Sequence, residues 1–110
     1  MSERPIELLL QDIREALAKI ERYLGTSGKE AFLADEKTVD AVIRNLTVIG
    51  EAARRLPDHF KAAHGDIDWP GIIGLRNRIV HDYAGIDLEL LWQLVKSDIP
   101  VFRRQVDCLA

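Results

Sequence analysis

At 110 residues, 47% hydrophobic and 30% charged, the chain has the size of one domain and the balance of a folded globular protein, which excludes a disordered tail. Its formal net charge of -3 excludes coating of nucleic acid by bulk attraction, so any basic site must be local. The lone cysteine, Cys108, excludes an intramolecular disulfide and a cysteine metal cage.

The polar start MSERP lacks the apolar stretch of a signal peptide, and no apolar run approaches membrane-crossing length. The expectation is a single cytoplasmic domain over residues 1–110. From Pro5 to Leu24, Ile6, Leu9, Leu10, Ile13, Leu17, Ile20 and Leu24 recur in steps of three and four, the stripe of an amphipathic helix. Gly25, Thr26, Ser27 and Gly28 stop it. A second stripe runs through Val39, Val42, Ile43, Leu46, Ile49, Ala53 and Leu56 to Pro57, which ends the long spine helix. Gly50 lies within that helix, where glycine is disfavoured, so close approach of another helix or a ligand is expected.

The polar connection after Pro57 holds at most a short turn of helix at PDHFKAAH, and its His59 and His64 belong to no ligand-like grouping. In DWPGIIGLRNRIVHDY, Asp68 is suited to cap a helix and Pro70 to sit near its first position. Gly85 closes that helix and Asp87 caps the last one, whose stripe is Leu88, Leu91, Trp92, Val95, Ile99, Phe102 and Val106. Pro100 inside that stripe predicts a kink or break near Lys96 to Ile99. Trp69 and Trp92 read as anchors of the bundle or of a dimer. No strand-like alternation of useful length appears, so the residues predict an all-α bundle of four main helices.

RNRIVHDY, residues 76–83, gathers Arg76, Arg78, His81, Asp82 and Tyr83 around an Ile-Val step. On an unbroken helix Arg76 and His81 would point roughly 140° apart, whereas Arg76 and Tyr83 would share a face. Convergence requires that the helix end near His81 or that a second copy contribute. A histidine can exchange a proton at cellular pH, and a guanidinium fork fits phosphate oxygens, so the group suits RNA cleavage without a metal. His81 would then act as general base or general acid, and Arg76 would hold charge developing on phosphorus. The plainer reading is that Arg and His sit near a helix end for its dipole, while Tyr83 packs its ring and wets its hydroxyl.

The order Arg76, four residues, His81, one residue, Tyr83 follows the helix start DWPGIIGLRN and the stretch VIRNLTVIGEAARRL. With the tail DLELLWQLVKSDIP, this pattern resembles the HepT family of toxins in the HEPN superfamily of helical-bundle ribonucleases, over nearly the whole chain. The resemblance implies a four-helix up-and-down bundle with an additional short helix. It also implies a two-fold homodimer whose paired segments form one composite cleft, a metal-independent endoribonuclease without a cofactor. Arg76 and His81 would be catalytic, and RNA the substrate. The implied partner is a minimal nucleotidyltransferase antitoxin of the MntA type, which would silence the toxin by transferring AMP to Tyr83.

Asn77 matches the family's Arg-Asn pair and is expected to support the site. Arg78 is a candidate contact for RNA or AMP phosphate, with plain surface exposure as the default, and Asp82 would orient His81 or only offset local positive charge. Arg44 and Glu51, seven apart on the spine helix, share nearly one face; Glu51 would pair with Arg76 or Arg44 in the dimer, or form a purely structural salt bridge. The arginine pairs at 54–55 and 103–104 would supply a basic site only if the fold gathers them. The rival function is a non-catalytic binding module that docks a nucleotidyltransferase, as its substrate or as its nucleotide-binding subunit.

Overall fold

Two long helices form the base of the fold. In the computed structural model, which describes residues 3–81, 83 and 85–109, α1 spans Ile6–Leu24 and α3 spans Glu36–Arg55. The stripe of α1 buries Leu9, Leu10, Ile13, Leu17, Ile20 and Leu24, chiefly against the stripe of α3. Gly25 ends α1 with a φ of 54°, a left-handed conformation that a residue with a Cβ rarely adopts. Asp35 caps α3 through its carboxylate, which accepts from the Thr38 amide and hydroxyl. Those bonds hold the Asp35 carboxyl below its ordinary pKa.

Between them lies α2, Lys29–Ala34, which the periodicity did not predict. Its buried side chain is Phe32, and one anchor makes no period. The Phe32 ring packs 5.7 Å from that of Trp92, which is half-buried as an anchor of the bundle. The predicted short turn after Pro57 is α4, Asp58–Ala63.

The predicted helix from Asp68 towards Tyr83 is corrected in two places. It is divided into α5, Trp69–Ile73, and α6, Leu75–Ile79, with Gly74 between them at φ -91° and ψ 7°. It also stops at Ile79, short of Gly85. Val80 turns to extended backbone and pairs with Ile86, and His81 pairs with Gly85, as β1 (Val80–His81) and β2 (Gly85–Ile86) of an antiparallel ladder. This ladder departs from the strand-free expectation; a two-residue strand is too short to show alternation. Gly85 serves the hairpin with a φ of 81°. The Asp68 cap is as predicted, its carboxylate accepting from the Gly71 amide at 3.1 Å, and Pro70 stands in the first turn. Trp69 is buried, donates from Nε1 to the His64 carbonyl at 3.1 Å, and meets the Phe102 ring edge-on at 6.3 Å.

The last rod comprises α7, Leu88–Gln93, capped by Asp87 as expected; a π-helical turn at Leu94–Asp98; and α8, Ile99–Asp107. Pro100 accounts for the π turn. It has no N–H to give to the Lys96 carbonyl and its ring crowds that carbonyl, so the helix widens just ahead of it. On α1, Arg14 donates to the carbonyls of Val106 (3.3 Å), which also accepts from the Leu109 amide, and of Leu109 (3.1 Å), tying the end of α8 to α1.

The four rods, α1, α3, α5–α6 and α7–α8, surround one contiguous buried cluster, so the all-α four-helix architecture stands as expected, with α2 and α4 as short additions. Among the described residues no helix is long and apolar enough to cross a membrane.

At Gly50, α3 comes close to the backbone of α5. A Cβ there would lie 3.0 Å from the Ile73 carbonyl oxygen and 3.4 Å from that of Ile72, so the expected close approach is backbone against backbone. Gly50→Ala gains about 0.5–1 kcal/mol of helix preference and loses a similar amount to this contact. Gly50→Val adds two methyls against fixed carbonyls and is expected to destabilise by about 1–3 kcal/mol. Urea denaturation of both variants checks this; an unshifted Val midpoint would show that α5 moves aside freely.

Candidate active site

The motif sits where α6 gives way to the hairpin. Leu75 and Ile79 bury one side of α6, which turns Arg76, Asn77 and Arg78 outward. Because helical rotation ends at Ile79, the divergence expected of Arg76 and His81 on an unbroken helix does not apply, and the position of His81 is set by the strand ladder. His81 is exposed on β1 and Tyr83 is fully exposed in the turn beyond it. Asp82 lies outside the described residues. Among those described, no side-chain hydrogen bond or ion pair engages Arg76, Asn77, His81 or Tyr83. That leaves a guanidinium fork exposed on α6 and an imidazole exposed two residues beyond its end.

Arg76 and Asn77 line a cleft of about 280 Å³ between α6 and the open side of α3, together with Glu51, Arg54, Thr47 and Gly50. Three of the site residues predicted from sequence, Arg76, Asn77 and Glu51, therefore meet in one place. His81, Tyr83 and Arg78 are not on its walls. Arg78 lines a separate cavity of about 310 Å³ against α8, with its Nη1 4.0 Å from the Asp98 carboxylate. Successive positions on a helix differ by about 100°, so residues 76 and 78 must diverge.

Glu51 makes the structural salt bridge that was one of its two expected roles. Within the chain its carboxylate accepts from Arg54 Nη2 at 2.7 Å, one turn along α3, and not from Arg76 or Arg44. Arg54 holds the Glu51 carboxyl below its ordinary pKa, and Glu51 in turn raises that of Arg54. Both side chains are about 60% exposed, so the pair is screened by water and adds little to stability. Its electrostatic effect is to offset the charge of Arg54, leaving Arg76 as the cation of the cleft that has no ion-pair partner among the described residues.

Thr47 and the Ile73 backbone were not anticipated in the wall. Thr47 falls four residues before Glu51, the same-face spacing, but a threonine whose hydroxyl bonds to the Ile43 carbonyl at 3.0 Å gives no chemical signal in a sequence. Among the described residues no three or more His, Cys, Asp or Glu side chains are grouped to hold a metal ion.

Comparison with known proteins agrees with the family resemblance. Residues 13–109 match the family model described as "Ribonuclease HepT-like". A protein of Thermococcus cleftensis named "Probable ribonuclease HepT" is 41% identical over 100 residues, 91% of each chain. One of Methanocaldococcus jannaschii named "Putative RNase MJ1380" is 35% identical over 107 residues, covering 97% of this chain and 98% of that one. No solved structure matches. With the match running through nearly all of the helical bundle and its Arg-His-Tyr segment, the chain belongs to the HepT-like ribonuclease family.

Proposed function

We propose that the chain is a metal-independent endoribonuclease acting as the toxin of a toxin-antitoxin pair, cytoplasmic with its RNA substrate. One observation carries the reading: α6 stops at Ile79, and Arg76 on it and His81 just beyond it are both exposed, with no ion-pair or hydrogen-bond partner among the described residues.

In the proposed reaction His81 takes the ribose 2′-hydroxyl proton as that oxygen attacks phosphorus. The bond from phosphorus to the 5′ oxygen breaks, and a protonated histidine returns a proton to the leaving oxygen, giving a cyclic phosphate and a 5′-hydroxyl end. Arg76 holds the equatorial oxygens while charge builds on them. Asn77, beside Arg76 in the cleft, would hydrogen-bond ribose or phosphate, and Glu51 would keep Arg54 from competing for the anion. Arg78, in the cavity on the other side of α6, is left as a phosphate contact outside the cleft. A two-fold homodimer would set two motifs face to face, so that the partner's His81 serves as acid while its counterpart serves as base.

Tyr83 would be the point of control. Its hydroxyl oxygen attacks the α-phosphorus of ATP on a minimal nucleotidyltransferase of the MntA type, pyrophosphate leaves, and AMP remains on the tyrosine. An added anion next to Arg76 and His81 repels RNA phosphate. The full exposure of Tyr83 supports access by such an enzyme.

The test is incubation with total RNA in EDTA, with and without prior treatment by ATP, magnesium and the nucleotidyltransferase. Cleavage by the untreated chain alone, with an AMP-sized mass gain on the peptide carrying Tyr83, is the expected result. Absence of cleavage despite that mass gain would overturn the ribonuclease and favour the rival binding module.

A further inference from the structure

The cleft that holds Arg76 does not end at Glu51. A larger depression of about 490 Å³ continues along α3 on the side of α1, sharing Thr47 and Glu51 with it and adding Arg44 and Arg55. On α3, Arg44, Glu51 and Arg55 fall within roughly 20° of one line along the helix. Arg54 and Thr47 stand next to that line on the side of α6. Four arginines, 44, 55, 54 and 76, thus border one continuous open furrow on a chain whose net charge is -3.

The acids of the furrow are already engaged, and Glu51 offsets Arg54 alone of the four in an ion pair among the described residues. Asp12 is held by Arg4 through two bonds of 2.8 and 3.0 Å, and Glu51 is held by Arg54 at 2.7 Å. Arg44 and Arg55 have no ion-pair partner among the described residues. The floor between them is apolar, formed by Leu9, Val48 and Ala52. Arginines spaced along a groove suit a polyanion that follows the groove, because each fork holds one phosphate while the floor accepts the flat faces of bases. Arg44 and Arg55 are eleven residues apart, about 16 Å of helix, enough for a few nucleotides of single strand.

We infer that Arg44 and Arg55 hold the backbone of single-stranded RNA on its way to the Arg76 cleft, as positioning residues outside the reacting centre. This rests on the ribonuclease reading. The consequence is a preference for oligonucleotides over the minimal cleavable dinucleotide, since the dinucleotide cannot reach the furrow.

The experiment measures two quantities on Arg44→Ala/Arg55→Ala, on Arg44→Lys/Arg55→Lys, and on Arg104→Ala from the exposed side of α8. The first is binding of a ten-nucleotide single strand across a salt series in a His81→Ala background. The second is cleavage of that strand and of a dinucleotide. The double alanine variant should flatten the slope of log affinity against log salt by about 1.4, some 0.7 for each lost phosphate contact. It should raise KM for the long strand and leave dinucleotide cleavage unchanged. The lysine pair should keep the slope, which separates lost charge from lost folding, and Arg104→Ala should match wild type.

Three outcomes overturn the proposal while sparing the ribonuclease: an unchanged slope in the double alanine variant, an equal loss in Arg104→Ala, or a fall in the native mass of the double alanine variant from dimer to monomer. The last would make the furrow an interface between copies. If wild type neither binds nor cleaves any RNA, the ribonuclease reading fails and the furrow proposal with it.

Discussion

His81→Ala is expected to lower the rate of RNA cleavage by roughly 10²–10⁴-fold, the usual contribution of a positioned acid or base. Arg76→Ala should cost about 10²–10³-fold, in line with loss of one donor to a transition-state oxygen. Neither should unfold the chain. Both side chains are exposed, and what β1 contributes to the ladder at His81 is backbone, which alanine retains. Arg76→Lys is the sharper variant, because it keeps the charge and removes the fork; a rate near that of Arg76→Ala would assign the effect to geometry. Single-turnover cleavage beside circular dichroism makes the comparison. If His81→Ala and Arg76→Ala both cleave at the wild-type rate, the assignment of the site is wrong.

Phe102→Ala should be the most damaging single truncation for stability, at about 3–5 kcal/mol. Phe102 is 1% exposed and its ring meets Trp69 edge-on, a pairing worth about 0.5–1.5 kcal/mol beyond buried area. Small domains have only about 5–15 kcal/mol in total, so this one contact decides much of the margin. The melting temperature should fall by on the order of 15 °C. Because Trp69 opens α5 and α5 leads directly into α6, loosening this contact should also weaken cleavage at temperatures where the variant still appears folded. A melting scan together with activity against temperature tests both parts; an unshifted melt would mean that α8 and α5 do not depend on each other.

The sequence announces those elements whose signal extends over several turns. The stripes of α1 and α3 are long enough to define a face, and Asp68 and Asp87 act locally as caps, so they could be read without tertiary context. Pro100 likewise predicts a disturbance, although only the fold shows that the disturbance is a wide π turn. α2 could not be read, since Phe32 derives its meaning from Trp92 sixty residues away. The end of α6 was also hidden: Val80 leaves the helix to pair with Ile86, a choice made by the hairpin and not by the propensities of IVHDY. At the site, Arg76 and Asn77 were legible as a motif, while the bond from Arg54 to Glu51 was not. Glu51 has arginines seven residues before it and three and four residues after it, and sequence spacing alone does not choose among them.

The Arg14 clasp has a consequence for how the chain can be rearranged. It fastens α1 to the end of α8 across 92 residues at Val106 and 95 at Leu109, so the outer helices of the sequence are neighbours in space. The entropy lost in closing a loop grows only with the logarithm of its length, so this contact is scarcely harder to form than one across half the chain. Folds whose ends lie side by side tolerate circular permutation. A linker that also spans the eight residues from Arg14 back to Ile6, about 12 Å of helix, could therefore join α8 to α1, with the chain reopened in the exposed Gly25–Gly28 connection, and the Arg76 cleft would keep all of its walls on one uninterrupted segment.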